Sequence, residues 1–209
     1  MKNIVITIER EYGSGGKYIG EEVAKRLGYK FYDKELLNEI YEKNDCNYAL
    51  LEEFDEKTKS SILKSLGLVS IENDSMFTEE KYHALVKATI KELASSSSCV
   101  FIGRDTNQIL KNEKNAIHFF IYAKDEEFKI KRKMERENLT YEEAKEKMHE
   151  VDKSRKKFYE SLNKGHTWGI KEDYDFCIDS SVLGIDKTIE LILEIIQKFQ
   201  NNEECKDER

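Results

Sequence analysis

The sequence predicts an α/β fold built on a mostly parallel sheet, and three observations carry that. Short apolar runs recur along the chain: Ile4-Val5-Ile6-Thr7-Ile8, Cys99-Val100-Phe101-Ile102 and residues 117–122. They are β-branched and uninterrupted, as strands buried on both faces are. Stretches with helical spacing separate them, which makes neighbouring strands parallel rather than hairpin-linked. The first run also opens into Glu9-Arg10-Glu11-Tyr12-Gly13-Ser14-Gly15-Gly16-Lys17. Strand, glycine turn, helix is an order that surrounds an anion-sized hollow with backbone N–H groups and a helix N-terminus.

Each element follows from local chemistry. After the glycines, Ile19, Val23 and Leu27 share one helix face, Gly20 and Ala24 are small enough to pack on a sheet, and Gly28 suits the C-cap. Phe31-Tyr32 is a second strand, and Asp33 can cap a helix carrying Leu36, Leu37 and Ile40. Residues 41–77 are irregular, with short helices expected over 48–57 and 60–66 and a loop at 73–75. Thr78 caps a helix with Tyr82, Leu85, Val86, Thr89 and Leu93 inward, and Ser95–Ser98 ends it. The strand at 99–102 closes with Gly103-Arg104-Asp105, and a short helix spans 106–110. A charged helix covers 124–137, and Thr140-Tyr141-Glu142-Glu143 is a capping box that starts another. Glycines at 165 and 169 break that helix, a fifth strand spans 174–178, and a last helix spans 184–199 with Ile185, Ile189, Ile192, Ile196 and Phe199 on one face. Residues 200–209 read as a polar, frayed tail. The domain reading is one unit over 1–199, with an excursion over about 33–95 and a helical segment over about 125–165.

Composition excludes several classes. At 209 residues with 39% hydrophobic and 37% charged side chains, the chain makes one sizeable core. A net charge of −7 argues against general nucleic-acid binding, which needs a basic surface. No apolar run reaches membrane-spanning length and no apolar leader segment precedes the first strand, so a cytoplasmic protein without membrane contact is expected. Cys46, Cys99, Cys177 and Cys205 are widely separated, as reduced thiols would be. The four histidines show no metal-ligand spacing. No pattern sets an oligomeric state.

The glycine loop departs from the phosphate-binding pattern G-x-x-x-x-G-K-[ST] in either register. With Gly16-Lys17 as the G-K pair, Glu11 takes the first glycine position and Tyr18 the hydroxyl. With Gly15 as the G, Arg10 replaces the first glycine, Gly16 the lysine and Lys17 the hydroxyl. The alternative is an ordinary Gly/Ser turn. Other distinctive residues also fall after strands, where ligands of parallel sheets bind: Asp33, Gly103-Arg104-Asp105 and Ser180-Ser181. Arg132 and Arg136 share a helix face, as do Asp152 and Arg155. Each has a plainer reading: Asp33 and Asp105 as helix caps, Arg104 in a local ion pair, the arginines of the 125–165 segment as a solvated face.

Taken together, the opening Ile6-Thr7-Ile8-Glu9-Arg10-Glu11-Tyr12-Gly13-Ser14-Gly15-Gly16, then Phe31-Tyr32-Asp33-Lys34-Glu35-Leu36, Gly103-Arg104-Asp105, the segment from Arg132 to Arg155 and residues 174–181 resemble the cytidylate kinase-like branch of the P-loop nucleoside monophosphate kinases. The similarity runs from about residue 3 to 199. It implies a P-loop NTPase three-layer α/β/α fold with a five-stranded parallel sheet ordered 2-3-1-4-5 and a helical lid. It implies ATP on a loop of Gly13, Ser14, Gly15, Gly16, Lys17 and Tyr18, and a small-molecule nucleotide acceptor held by Asp33, Arg104, Asp105 and Asp152. Lys17, Arg132, Arg136 and Arg155 would neutralise charge during transfer. Magnesium (Mg2+) would bridge donor phosphates, with Ser14 the nearest hydroxyl ligand. The chain departs from classical cytidylate kinases after Asp33, where Lys34-Glu35-Leu36-Leu37-Asn38-Glu39 replaces Ser-Gly-Ala-x-Tyr-Arg. The expected activity is transfer of the ATP γ-phosphoryl to a nucleoside monophosphate or similar small molecule. A non-catalytic nucleotide-binding or regulatory protein is the alternative. The lid arginines favour the enzyme and the displaced hydroxyl favours the binder. A protein kinase is set aside because the H-R-D and D-F-G set is missing.

Overall fold

The computed structural model describes residues 3–33, 36, 38–40 and 79–207. Strands β1 (Val5–Arg10), β2 (Lys30–Tyr32), β3 (Cys99–Ile102), β4 (Ala116–Tyr122) and β5 (Phe176–Asp179) form one sheet in the order β2-β3-β1-β4-β5. Every pair is parallel, with Val5 of β1 level with Cys99 on one side and Ala116 on the other. The helices are α1 (Gly16–Leu27), α2 (Glu79–Ser96), α3 (Thr106–Ile109), α4 (Glu126–Glu137), α5 (Tyr141–Leu162), α6 (Ser180–Leu183) and α7 (Ile185–Asp207).

Apolar side chains fill both faces of the sheet, which is why its strands read as continuous hydrophobic runs. Ile4, Ile6 and Ile8 pack with Ile19 and Val23 of α1 and Ile189, Ile192 and Ile196 of α7. Val5, Cys99 and Phe101 pack on the opposite face with Val86, Ile90 and Leu93 of α2. The expected three-layer α/β/α arrangement and strand order 2-3-1-4-5 are what the chain adopts.

Local signals set the boundaries. Gly28 ends α1 in the left-handed region at φ 69°, and the Tyr29 N–H closes the turn on the Ala24 carbonyl at 2.9 Å. Asp125 caps α4, accepting from the Phe128 N–H. Thr140 and Glu143 form the full capping box of α5. Several boundaries shift from expectation, two of them with a visible cause. β5 begins at Phe176, two residues late, because Lys171–Asp173 make a 3₁₀ turn that Tyr174 closes. Helix α7 continues through Asp207 instead of fraying at residue 200. Gln200 helps to hold it there, donating from Nε2 to the Tyr29 hydroxyl at 2.6 Å. The expectations for 41–78, including two short helices, the loop at 73–75 and the Thr78 cap, lie outside the described residues. No helix among the described residues is long and apolar enough to cross a membrane.

Candidate active site

The loop between β1 and α1 is shaped by two left-handed glycines, Gly13 at φ 83° and Gly15 at φ 85°. The Ser14 hydroxyl is fully buried, donates to the Glu11 carbonyl at 2.8 Å and accepts from the Gly16 N–H at 3.3 Å. Ile19 is the first residue whose N–H reaches back, to the Gly15 carbonyl. The Lys17 and Tyr18 amides are therefore left at the open helix end. Ser180 fixes the loop from the far side, donating to the Ser14 carbonyl at 2.7 Å.

Helices α4 and α5 clamp this loop. A Cβ on Gly13 would stand 2.7 Å from Lys129 Cβ, so α4 lies directly on the glycine. Lys129 reaches Glu11 Oε2 at 3.0 Å. A Cβ on Gly15 would stand 3.1 Å from Arg132 Nε. Arg136 Cζ lies 4.6 Å from the centroid of the Tyr18 ring, and Arg132 Cζ lies 5.9 Å from it. From α5, Asp152 Oδ1 accepts the Tyr12 N–H at 2.7 Å and Arg155 donates to the Arg10 carbonyl at 2.9 Å. The Tyr12 hydroxyl donates to Glu137, which also pairs with Lys133 and Lys147.

Beside the loop a cavity of 530 Å³ opens between α2, the C-terminal end of β3, α3 and α5. Arg10, Arg104 and Arg155 line it, with Lys87 and Lys111 at its edges and Asp33 and Asp105 as its carboxylates. Tyr82, Val86, Ile109 and Phe158 give it an apolar wall. Three successive left-handed residues, Gly103, Arg104 and Asp105, turn the chain at its base. Such a run is costly for side chains with a Cβ and is held by its surroundings. Here Arg104 Nε donates to the Asp33 carbonyl at 3.2 Å and Asn163 Nδ2 donates to Asp105 Oδ1 at 2.6 Å.

Charge in the cavity is unevenly matched. Burial opposes ionisation of Asp33, but the Lys17 ammonium at 2.6 Å, with Arg10 and Arg104, holds its carboxyl below the usual range. Burial pushes Asp105 up to about 7, helped by the Glu9 and Asp173 carboxylates and opposed by Asn163. Burial and the neighbouring Arg10 guanidinium both bear down on the Arg155 pKa. Burial likewise raises Asp152, against the Tyr12 N–H and Arg155.

The site residues expected from sequence thus separate into groups. Gly13, Ser14, Gly15, Gly16 and Tyr18 form the loop, and Arg132 and Arg136 cover it. Asp33, Arg104, Asp105 and Arg155 line the cavity. Lys17 is spent on Asp33, with its side chain 56% exposed. Asp152 binds loop backbone. Asp105 makes no side-chain cap to α3. The residues do not fit a protein-bound magnesium ion: the Ser14 hydroxyl is used inside the loop, the hydroxyl position holds Tyr18 in one register and Lys17 in the other, and among the described residues no group of three or more His, Cys, Asp or Glu side chains is placed to hold a metal. Sequence reasoning missed Arg10 and Asn163. Arg10 had a signal, a cation where the loop pattern wants its smallest residue. Asn163 had none, since its partner is 58 residues away.

The pattern of the cytidylate kinase-like family matches residues 5–182. No curated protein matches the sequence. An uncharacterized protein from Eubacterium ventriosum is 26% identical, with a TM-score of 0.69 over 93% of this chain and 99% of that one. A shikimate kinase from Bacteroides thetaiotaomicron (12% identity, TM-score 0.52, 93% and 98% of the two chains) and a gluconokinase from Sinorhizobium meliloti (13%, 0.52, 97% of each) share the fold. The chain belongs to the cytidylate kinase-like family and carries the fold of the P-loop kinases.

Proposed function

We propose that the protein is an ATP-dependent phosphotransferase that moves the γ-phosphoryl group to a nucleoside monophosphate or a similar small phosphorylated molecule. The observation that carries this is the cavity beside the loop. Arg104 and Arg155 line it beside an apolar wall, and Arg10 reaches it from the end of β1. Guanidinium forks match phosphate oxygens, and an apolar wall with nearby carboxylates suits a base or other ring. The loop amides and α4 arginines supply the donor side, and the cavity supplies the acceptor side. In the transfer, the bond between γ-phosphorus and its bridging oxygen breaks and ADP leaves with that electron pair. A bond forms to an acceptor phosphate oxygen, which is already deprotonated, so no base is required. The residues contribute position and positive charge, which is most of what this chemistry asks of a protein. Asp152 and Lys17 position other groups: Asp152 the loop, Lys17 the Asp33 carboxylate.

A second reading, a binding protein without catalysis, is favoured by the displaced loop hydroxyl, with Tyr18 or Lys17 in its position according to register, and by the engaged Ser14. The experiment that separates them is ADP formation from ATP and magnesium against a panel of ribo- and deoxynucleoside monophosphates, with an acceptor-free control. Acceptor-dependent ADP formation on one member is expected. Flat rates across the panel, with ATP binding intact, would instead support the binding protein.

A further inference from the structure

We propose that Arg10, at the end of β1, is the cation that holds the donor's terminal phosphates, in place of the lysine that P-loops carry at the start of the following helix. The inference rests on the phosphotransferase reading.

The loop pattern places a glycine at the first position and a lysine at the helix start, where its ammonium reaches the β- and γ-phosphates. In the register that aligns Gly15 with the pattern's second glycine, this chain has Arg10 at the first position and Gly16 at the lysine position. The structure shows that the two changes fit each other. A Cβ on Gly16 would lie 2.5 Å from Arg10 Cβ, 3.1 Å from Arg10 Cγ and 3.2 Å from Ile121 Cβ. A side chain cannot start from position 16, because the Arg10 methylenes already occupy that space. The Arg10 guanidinium then crosses to the turn after β3. Its Nη1 stands where a Cβ on Gly103 would be, with Cζ 3.0 Å from that point. Two glycines on separate elements therefore clear one path, and the path runs from the helix start into the cavity.

The state of that guanidinium points the same way. Its side chain is 16% exposed, and the ion pair it makes among the described residues is with Glu9 Oε2 at 3.7 Å, long for a hydrogen bond. It sits near Arg155, whose pKa it depresses, and near Asp33, which Lys17 already holds. A mostly buried cation beside another cation is costly unless an anion joins them. Lys17 is not in that position, since its ammonium is held 2.6 Å from Asp33.

The test is calorimetric titration of the full chain with ATP and magnesium, without acceptor, on wild type, Arg10→Ala, Arg10→Lys and Lys17→Ala, with ligand-free thermal midpoints alongside. Arg10→Ala is expected to weaken ATP by about tenfold to a hundredfold, as loss of a charge-assisted phosphate contact does, and Arg10→Lys to recover most of it. Lys17→Ala is expected to shift ATP affinity by less than about threefold. A double variant, Arg10→Gly with Gly16→Lys, returns the cation to the helix start and is expected to bind ATP better than Arg10→Ala, which distinguishes charge placement from folding. Unchanged affinity in Arg10→Ala, or a larger loss in Lys17→Ala, overturns the assignment and leaves the phosphotransferase reading standing. Wild type that does not bind ATP overturns both.

Discussion

After β1 the chain passes Gly13 and Gly15 in the left-handed region and is covered at once by α4. After β3 it passes Gly103, Arg104 and Asp105 in the same region and opens onto the cavity. The two turns stand side by side at the ends of hydrogen-bonded parallel strands. Their charges are treated differently. Around the first turn each carboxylate has its cation in place: Glu11 with Lys129, Glu137 with Lys133 and Lys147. Around the second, Arg10 and Arg155 lie near one another with longer pairs, Glu9 at 3.7 Å from Arg10 and Asp152 at 3.5 Å from Arg155, and a buried Asp105 is pushed towards neutrality. The carboxylates of one turn are held by short ion pairs under α4, whereas the other turn opens onto a cavity where two arginines have only long pairs. That contrast supports the proposal that an acceptor binds in the cavity.

The contrast is tested hardest at Arg155, which belongs to both turns. It donates to the Arg10 carbonyl and lines the cavity. Arg155→Ala is expected to lower kcat/KM by about a hundredfold or more, as removal of a charge aimed at the transferring group does. A near-normal rate in steady-state assays would mean the cavity cations are structural.

Asp105 sharpens the comparison through pH. Its folded pKa, about 7, lies above the ordinary carboxylate value of 3.8. The native state therefore keeps a proton that the unfolded chain has already lost, and stability falls as pH rises between these values, by at most about 1.4 kcal/mol per pH unit. Above the folded pKa the loss is complete and the curve is flat. Asp105→Asn is expected to remove this slope and to be more stable than wild type at pH 8, by denaturant titration across pH 4 to 8. Parallel pH curves for the two proteins would show that Asp105 titrates normally.

The finished turn gives the smallest effect. Tyr12→Phe removes one hydrogen bond to Glu137, whose two lysine partners remain. A stability loss of about 0.5–1.5 kcal/mol is expected, with turnover changed less than about tenfold. A large turnover defect would show that the covered turn also depends on the helices over it for chemistry.

The sequence made the frame legible because strand burial, glycine turns and caps are local. The run from Ile4 to Ile8, Gly28, and the Thr140–Glu143 box each announced an element that the structure contains. The cavity was legible only as residues that follow strands. What could not be read were relations between distant segments. Arg10 takes its meaning from space left by Gly16 and Gly103, and Asp152 from an amide 140 residues earlier. Lys17 drew attention by following glycines, yet a carboxylate on another strand end claims it. The extension of α7 past residue 200 likewise involves Tyr29, far away in sequence.

The central claim is that a phosphoryl group passes from the covered turn to a molecule in the cavity. The most direct measurement uses ATP labelled in its γ-phosphoryl group, with magnesium and each nucleoside monophosphate in turn, and follows where the label goes. Label is expected in the diphosphate of one acceptor, formed well ahead of any inorganic phosphate. Label that stays in ATP, or appears only as inorganic phosphate, would contradict it.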